Sequence, residues 1–216
     1  AGAPGLRTGQ QRFEPLFGYT VLAMSVPARP APAHPGMRRA TRTDMAAVAA
    51  FLDACNKERD FSPRIAPAPS FPDGWAGLAP EDFVLCEEGG RIAGAAAVWD
   101  QRPMRSLVVE AYRPPLDRLR PLANLLAPLS GLPRLPTPGN PLGQAYLSLA
   151  AVRGADAGVW AGLVHGALAL AREKGLQLLA AGFVSGDPLL DRTARAFRHR
   201  RYTSTIYRVG WGESGS

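Results

Sequence analysis

Tyr146 and Ser148 stand two residues apart in an otherwise apolar run, and that run leads within a few residues into a helical pattern. The run Gln144–Val152 (QAYLSLAAV) is flanked by Gly143 and Gly154 and is rich in apolar and aromatic side chains, which predicts a strand. A short Gly/Ala/Asp turn follows. A strand that passes through a turn directly into a helix brings the helix's first backbone N–H groups, which have no internal partner, next to the strand end. There they carry the positive end of the helix dipole and can hold a phosphate. Nucleotide-type cofactors bind in this way.

The elements that must position this unit can be read outward from it. Val159, Leu163, Ala167, Leu170 and Ala171 recur on one face of a 3.6-residue period, and Arg172, Glu173 and Lys174 precede Gly175, a natural residue for ending a helix. Residues 176–183 predict a second strand, 187–200 a helix with Pro188 in its first turn, and 202–211 a last strand. Upstream, MRRAT at residues 37–41 predicts a short strand. Thr43 and Asp44 offer an N-cap before Met45, Val48, Ala49, Leu52 and Cys55, which make an amphipathic helix. Residues 57–80 hold too many prolines for regular structure. Residues 83–88 and 91–100 around Gly89 and Gly90 have the pattern of a β-hairpin. Residues 101–143 form an insertion between strands: SLVVEAY predicts another strand, and residues 116–129 have helical composition interrupted by Pro121 and Pro128.

Length and composition bound the architecture. A chain of 216 residues, 46% of them hydrophobic, can bury one good core. The predicted organisation is an N-terminal extended segment with a proline-rich linker over residues 1–36 and one domain over 37–216. Within the first segment, Phe13, Leu16, Phe17, Tyr19, Val21, Leu22 and Val26 are costly to leave in water, so this piece should pack as an extended strand on the domain. The formal charge of +7 favours anionic partners, but Lys57 and Lys174 are the lysines among 25 basic residues. So strong an arginine excess, with 21 prolines, reads as a coding bias more than as a nucleic-acid footprint. Cys55 and Cys86 lie in apolar surroundings with no CxxC spacing, which predicts reduced thiols and a cytoplasmic protein. No run reaches the ~20 apolar residues of a membrane span.

The order strand, helix, hairpin, insertion, strand, helix, strand, helix, strand resembles the GCN5-related N-acetyltransferase (GNAT) superfamily over roughly residues 37 to 211. The pieces that carry the likeness are MRRATRTDMAAVAAFL, FVLCEEGGRIAGAAAVWD, AYLSLAAVRGADAGVWAGLVHGALALAREKG and LQLLAAGFVSGDPLLDRTARAFRHRRYTSTIYRV. The resemblance implies an α/β fold of GNAT type, with a mixed, partly antiparallel central sheet flanked by helices. It also implies acetyl-CoA or another acyl-CoA as co-substrate. The pantetheine arm would lie along Leu149, Ala150, Ala151 and Val152, and the pyrophosphate at Arg153, Gly158 and Val159. Against the family's phosphate loop Q/R-x-x-G-x-G/A, the matching positions are Ala155, Gly158 and Trp160, of which Gly158 conforms, and Asp156 adds a negative charge. Where many members place a tyrosine to protonate the departing thiolate, this chain has Phe197. RFEPLFGYTVLAMSV resembles the last strands of another such domain, so the chain also reads as the C-terminal part of a tandem.

Acyl transfer to an amine needs a group, or a held water, that accepts a proton from the ammonium. Tyr146 and Ser148 are the candidate catalytic residues, with Glu110 and Asp100 as further carboxylate candidates. His165 interrupts an apolar helix face and reads as a packed histidine. Three histidines without paired spacing predict no metal site. The arginines around Arg192, Arg195, Arg198, Arg200 and Arg201 read as a solvated basic face, because aromatic residues that would stack bases are not interleaved with them. Three readings follow, in this order: an acyl-CoA-dependent N-acyltransferase acting on a small-molecule or protein amine, a non-catalytic GNAT-fold module that binds a ligand or partner, and a basic nucleic-acid-associated protein.

Overall fold

The computed structural model describes residues 7–8, 11–29, 31, 34–57, 62–65, 71–105, 107–130 and 134–211. Its strands are β1 (Arg7–Thr8), β2 (Gln11–Ser25), β3 (Met37–Arg39), β4 (Phe83–Glu88), β5 (Arg91–Trp99), β6 (Gln144–Val152), β7 (Leu178–Val184) and β8 (His199–Trp211). Its helices are α1 (Met45–Asn56), α2 (Leu116–Ser130), α3 (Ala157–Glu173) and α4 (Pro188–Ala196).

All eight strands join one mixed sheet in the order β1-β2-β7-β6-β5-β4-β3, with β8 also paired to β2. The pairing is antiparallel except between β6 and β7, which run parallel from Gln144 opposite Leu178 to Leu147 opposite Ala181. That parallel pair needs a crossover, and α3 supplies it. The β4-β5 hairpin turns on Gly89 and Gly90, both at positive φ, a conformation that costs glycine little.

β2 is an inner strand of this sheet. Residues 19–25 pair with β7 on one side, and the whole strand pairs with β8 on the other. Leu22 and Met24 are fully buried in the core under α3 and α4. The described residues of 11–25 and 37–211 therefore share one sheet, and β2 contributes to the core on its α3 face. From β2 the chain returns to the far edge of the sheet past α3, where Gly162 leaves room for His34 and Met37.

Each face of the sheet has its own core. On one face α3 packs over β4 and β5 through Val159, Leu163, Val164 and Ala167. The approach is close, since a Cβ on Gly94 would lie 2.7 Å from Val159 and 2.8 Å from Leu163. On the other face Val48, Ala49, Phe51 and Leu52 of α1 pack against Phe83, Leu85, Ala95 and Ala97.

Several boundaries differ from the sequence reading. Of the strand predicted from SLVVEAY, Ser106 lies outside the described residues and 107–112 do not form one: Val108 makes an isolated bridge to Pro141, Leu107 and Val109 share backbone hydrogen bonds of 2.7–3.2 Å with residues 139–142, and Leu107 and Val108 stay about half exposed. α2 runs unbroken through Pro121 and Pro128. α4 ends at Ala196, and β8 begins at His199. Asp44 does not cap α1 through its side chain; its carboxylate accepts hydrogen bonds from Thr41 and from Arg38 at 2.7–2.8 Å.

Candidate active site

β6 decides the site, because it is paired with β7 along only half its length. The parallel ladder ends at Leu147 opposite Ala181, while β6 continues to Val152. Beyond that point the two strands part, and the β6-β7 ladder does not continue. The same place carries an irregularity on the other side: Ala97 pairs with Ser148 but Ala95 with Ala151, so Leu149 and Ala150 form a bulge, with Leu149 at φ 47°. A leucine at positive φ is strained, and a bulge re-aims the backbone locally. Ala150 and Val152 then pack toward α3, and Leu149 and Ala151 toward α1.

A cleft of about 260 Å³ opens where the strands part. Its polar lining comes from three parts of the chain: Tyr146 and Ser148 on β6, Tyr19 on β2, and Gln101 and Arg105 from the segment after β5. Its floor is Ala180 and Gly182 of β7. The structure thus brings the two sequence candidates together, on one strand face, at the point where pairing ends. Arg105 donates from Nη2 to the Tyr146 hydroxyl at 3.2 Å, and its guanidinium lies 5.9 Å from the centre of that ring.

Tyr19, Gln101, Arg105 and Gly182 were not singled out from the sequence. Tyr19 reaches the cleft only because β2 inserts beside β7, and no local pattern reports that pairing. Gly182 is needed for it: a Cβ there would fall 1.7 Å from the Tyr19 hydroxyl oxygen, so the phenol occupies the space a side chain would take. Burial pushes the Tyr19 pKa up, which keeps the hydroxyl protonated and a donor at neutral pH.

The other candidates lie elsewhere. Asp100 is held by Arg102 through contacts of 2.7–3.1 Å, which keep its carboxyl below the ordinary range, and it does not line the cleft. Glu110 is exposed in the irregular segment. His165 on α3 meets the edge of buried Phe197 at 4.8 Å, and burial pushes its pKa down. Arg192, Arg195, Arg198, Arg200 and Arg201 are all exposed. Among the described residues no group of three His, Cys, Asp or Glu side chains is placed to hold a metal.

The turn from β6 into α3 differs from its expected role. The Asp156 carboxylate accepts from the N–H of Gly158 at 2.7 Å and of Val159 at 3.0 Å. These are the donors expected to be unpaired and available to a pyrophosphate; an internal carboxylate fills the seat instead, and its pKa falls because of those bonds. Arg153 lies over the Phe51 ring at 5.8 Å and reaches the Ile92 carbonyl at 3.4 Å. Farther along the first turn, Trp160 is buried against Phe183 and donates to Thr193 at 2.7 Å, which ties this end of α3 to β7 and α4.

No protein-family model and no curated protein sequence matches the chain. Solved structures do. A GCN5-related N-acetyltransferase from Sphaerobacter thermophilus superposes with a TM-score of 0.53 at 16% identity, over 94% of this chain and 56% of that one. The chain has the GNAT fold. A GNAT-family protein from Novosphingobium aromaticivorans matches at 18% identity and a TM-score of 0.49, over 97% of this chain and 71% of its own. The N-acetylglutamate synthase of Neisseria gonorrhoeae, solved with coenzyme A and N-acetyl-glutamate, matches at 13% and 0.42, over 82% of this chain and 36% of its own. The chain thus spans little more than half the length of the Sphaerobacter protein. Within the GNAT fold of this chain, the parted β6 and β7 strands and the bulge at Leu149 lie at the centre of the sheet. No helix among the described residues is long and apolar enough to cross a membrane.

Proposed function

We propose that this chain transfers an acyl group from an acyl-CoA thioester to an amine in the cleft between β6 and β7. The observation that carries the reading is the parting of β6 from β7 beyond Leu147, opening into a cleft with hydroxyl and guanidinium groups. Where the strands part, the β6 backbone runs beside the cleft in a fixed extended form, which suits the amides of a pantetheine arm lying along Leu149, Ala150, Ala151 and Val152. The diphosphate end fits less well, because Asp156 fills the donors of Gly158 and Val159. Arg153 is the cation nearest that turn in sequence.

In the reaction, the neutral amine nitrogen attacks the thioester carbonyl carbon. The C–N bond forms, the C–S bond breaks, the thiolate leaves, and the nitrogen's surplus proton passes to water. Ser148 and Tyr146 orient the amine by hydrogen bonding. The cleft has no carboxylate among its lining residues, so a water held by these hydroxyls accepts the proton. A thiol with a pKa near 8.5 leaves without an obligatory acid, which is consistent with Phe197 being buried away from the cleft. Acetyl-CoA should raise the melting temperature in proportion to RT ln(1 + [L]/Kd), and amine-dependent release of free thiol should follow.

The filled phosphate seat favours a second reading, a GNAT-fold module that binds a ligand or partner without turnover. A ligand-dependent melting shift without thiol release from any amine would select it.

A further inference from the structure

Resting on the acyl-transfer reading, we infer that the cleft selects an acceptor amine that carries a carboxylate, with Arg105 as the residue that recognises it. The cleft is electrostatically one-sided: tyrosine, serine and glutamine side chains line it, Arg105 is its charged group, and no aspartate or glutamate lines it. Two arginines, Arg102 and Arg105, lie three residues apart in the segment after β5 and differ in state. Arg102 is neutralised by Asp100, bonded through both Nε and Nη2. Among the described residues Arg105 forms no ion pair, and its guanidinium donates to the Tyr146 hydroxyl. That contact uses one of five guanidinium N–H groups, and ring and hydroxyl together hold the planar fork in place.

A fixed fork with spare donors matches a carboxylate in geometry and charge. The neighbouring groups suit the same ligand. Tyr19 brings a hydroxyl that makes no hydrogen bond among the described residues, and Gln101 brings an amide. Ser148 stands two residues beyond Tyr146 on the same face, roughly 7 Å along the strand, at the point where β6 and β7 part. An amine within about that distance of its carboxylate reaches the strand opening while the carboxylate rests on Arg105. Free amino acids and short peptides satisfy this, whereas polyamines and cationic antibiotics would meet an uncompensated guanidinium.

The test compares amine pairs that differ only at the carboxylate. The twenty common L-amino acids and their C-terminal amides are offered with acetyl-CoA at about pH 8, and thiol release is followed. The amide's amine is the less basic and so the more available nucleophile at that pH, which means a preference for the acid must come from binding. We expect at least one acid to exceed its amide by tenfold or more in kcat/KM. Arg105→Ala should erase that ratio, and Arg105→Lys, which keeps the charge but loses the fork, should restore part of it. Equal turnover of acids and amides, an acid preference unchanged in Arg105→Ala, or turnover confined to spermidine would overturn the inference and leave the acyl-transfer reading standing. Thiol release with no amine at all would overturn that reading itself, and the inference with it.

Discussion

At the turn from β6 into α3, the N–H groups of Gly158 and Val159 both end on the Asp156 carboxylate, whereas in the cleft at the other side of the bulge Arg105 and Tyr19 keep donors that no described residue takes up. Both regions are polar, both adjoin β6, and both could receive an anion on charge alone. The difference lies in whether the chain already supplies the partner. Donors satisfied by an internal anion stabilise the fold, and an incoming ligand must displace that anion. Donors left to solvent can be given to a ligand at the cost of water alone. Under the acyl-transfer proposal, the recognition of an anion would fall to the cleft and not to the helix N-terminus.

The largest expected effect tests whether the turn is structural. Trp160→Ala removes a buried indole and leaves the Thr193 hydroxyl without its donor, and should cost roughly 3–5 kcal/mol in urea unfolding, the usual range for a large-to-small change in a core. A loss below about 1 kcal/mol, the scale of a surface change, would mean that this end of α3 is not anchored as described.

Asp156→Ala acts on the comparison directly. It should lower the melting temperature through loss of the α3 cap and, by freeing two N–H donors, tighten CoA binding by on the order of tenfold. Calorimetric titration of both proteins with CoA checks this. Weaker CoA binding in the variant would show that the carboxylate is not competing for the seat.

The smallest effect concerns a cluster away from both regions. Arg38 bridges Asp44 at 2.7 Å and Glu87 at 2.6 Å, and its hydrogen bonds are the main reason both carboxyls sit below their ordinary range. A depressed folded pKa gives stability that is present above the unfolded value, near 4, and is lost as pH falls through the folded one. Asp44→Asn should therefore cost about 1 kcal/mol at neutral pH, a charge-assisted bond discounted for the partly exposed arginine, and should flatten the loss of stability below about pH 4. Urea midpoints at neutral and acid pH measure both, and an unchanged acid slope would exclude this cluster as its source.

Local pattern carried much of the fold into view. The hairpin at Gly89 and Gly90, the strand around Tyr146, the period of α3 and the parallel crossover depend on neighbours within a few turns or strands, and side-chain period reports them. The pattern failed where context overrides propensity. Residues 107–112 have the composition of a strand but make only a short bridge to residues 139–142 outside the main sheet, while residues 116–130 keep a helix through two prolines. Tyr146 and Ser148 were legible as candidates by their position on the strand that the family resemblance places beside the substrate.

What the sequence determined by itself, then, was the order of the elements outside the insertion at 101–143 and the strand on which the polar pair stands, since each follows from periodicity and turn chemistry within one segment. The tertiary structure alone decided that β2 lies between β7 and β8, that Tyr19 rests in the space above Gly182, that Arg105 folds over Tyr146, and that Asp156 turns back onto its own helix. The first three are contacts between segments far apart in the chain, set by which strand edges and volumes remain once the core has packed. The fourth is short in sequence but depends on a side-chain rotamer and on the backbone angles of the turn, and residue type alone specifies neither.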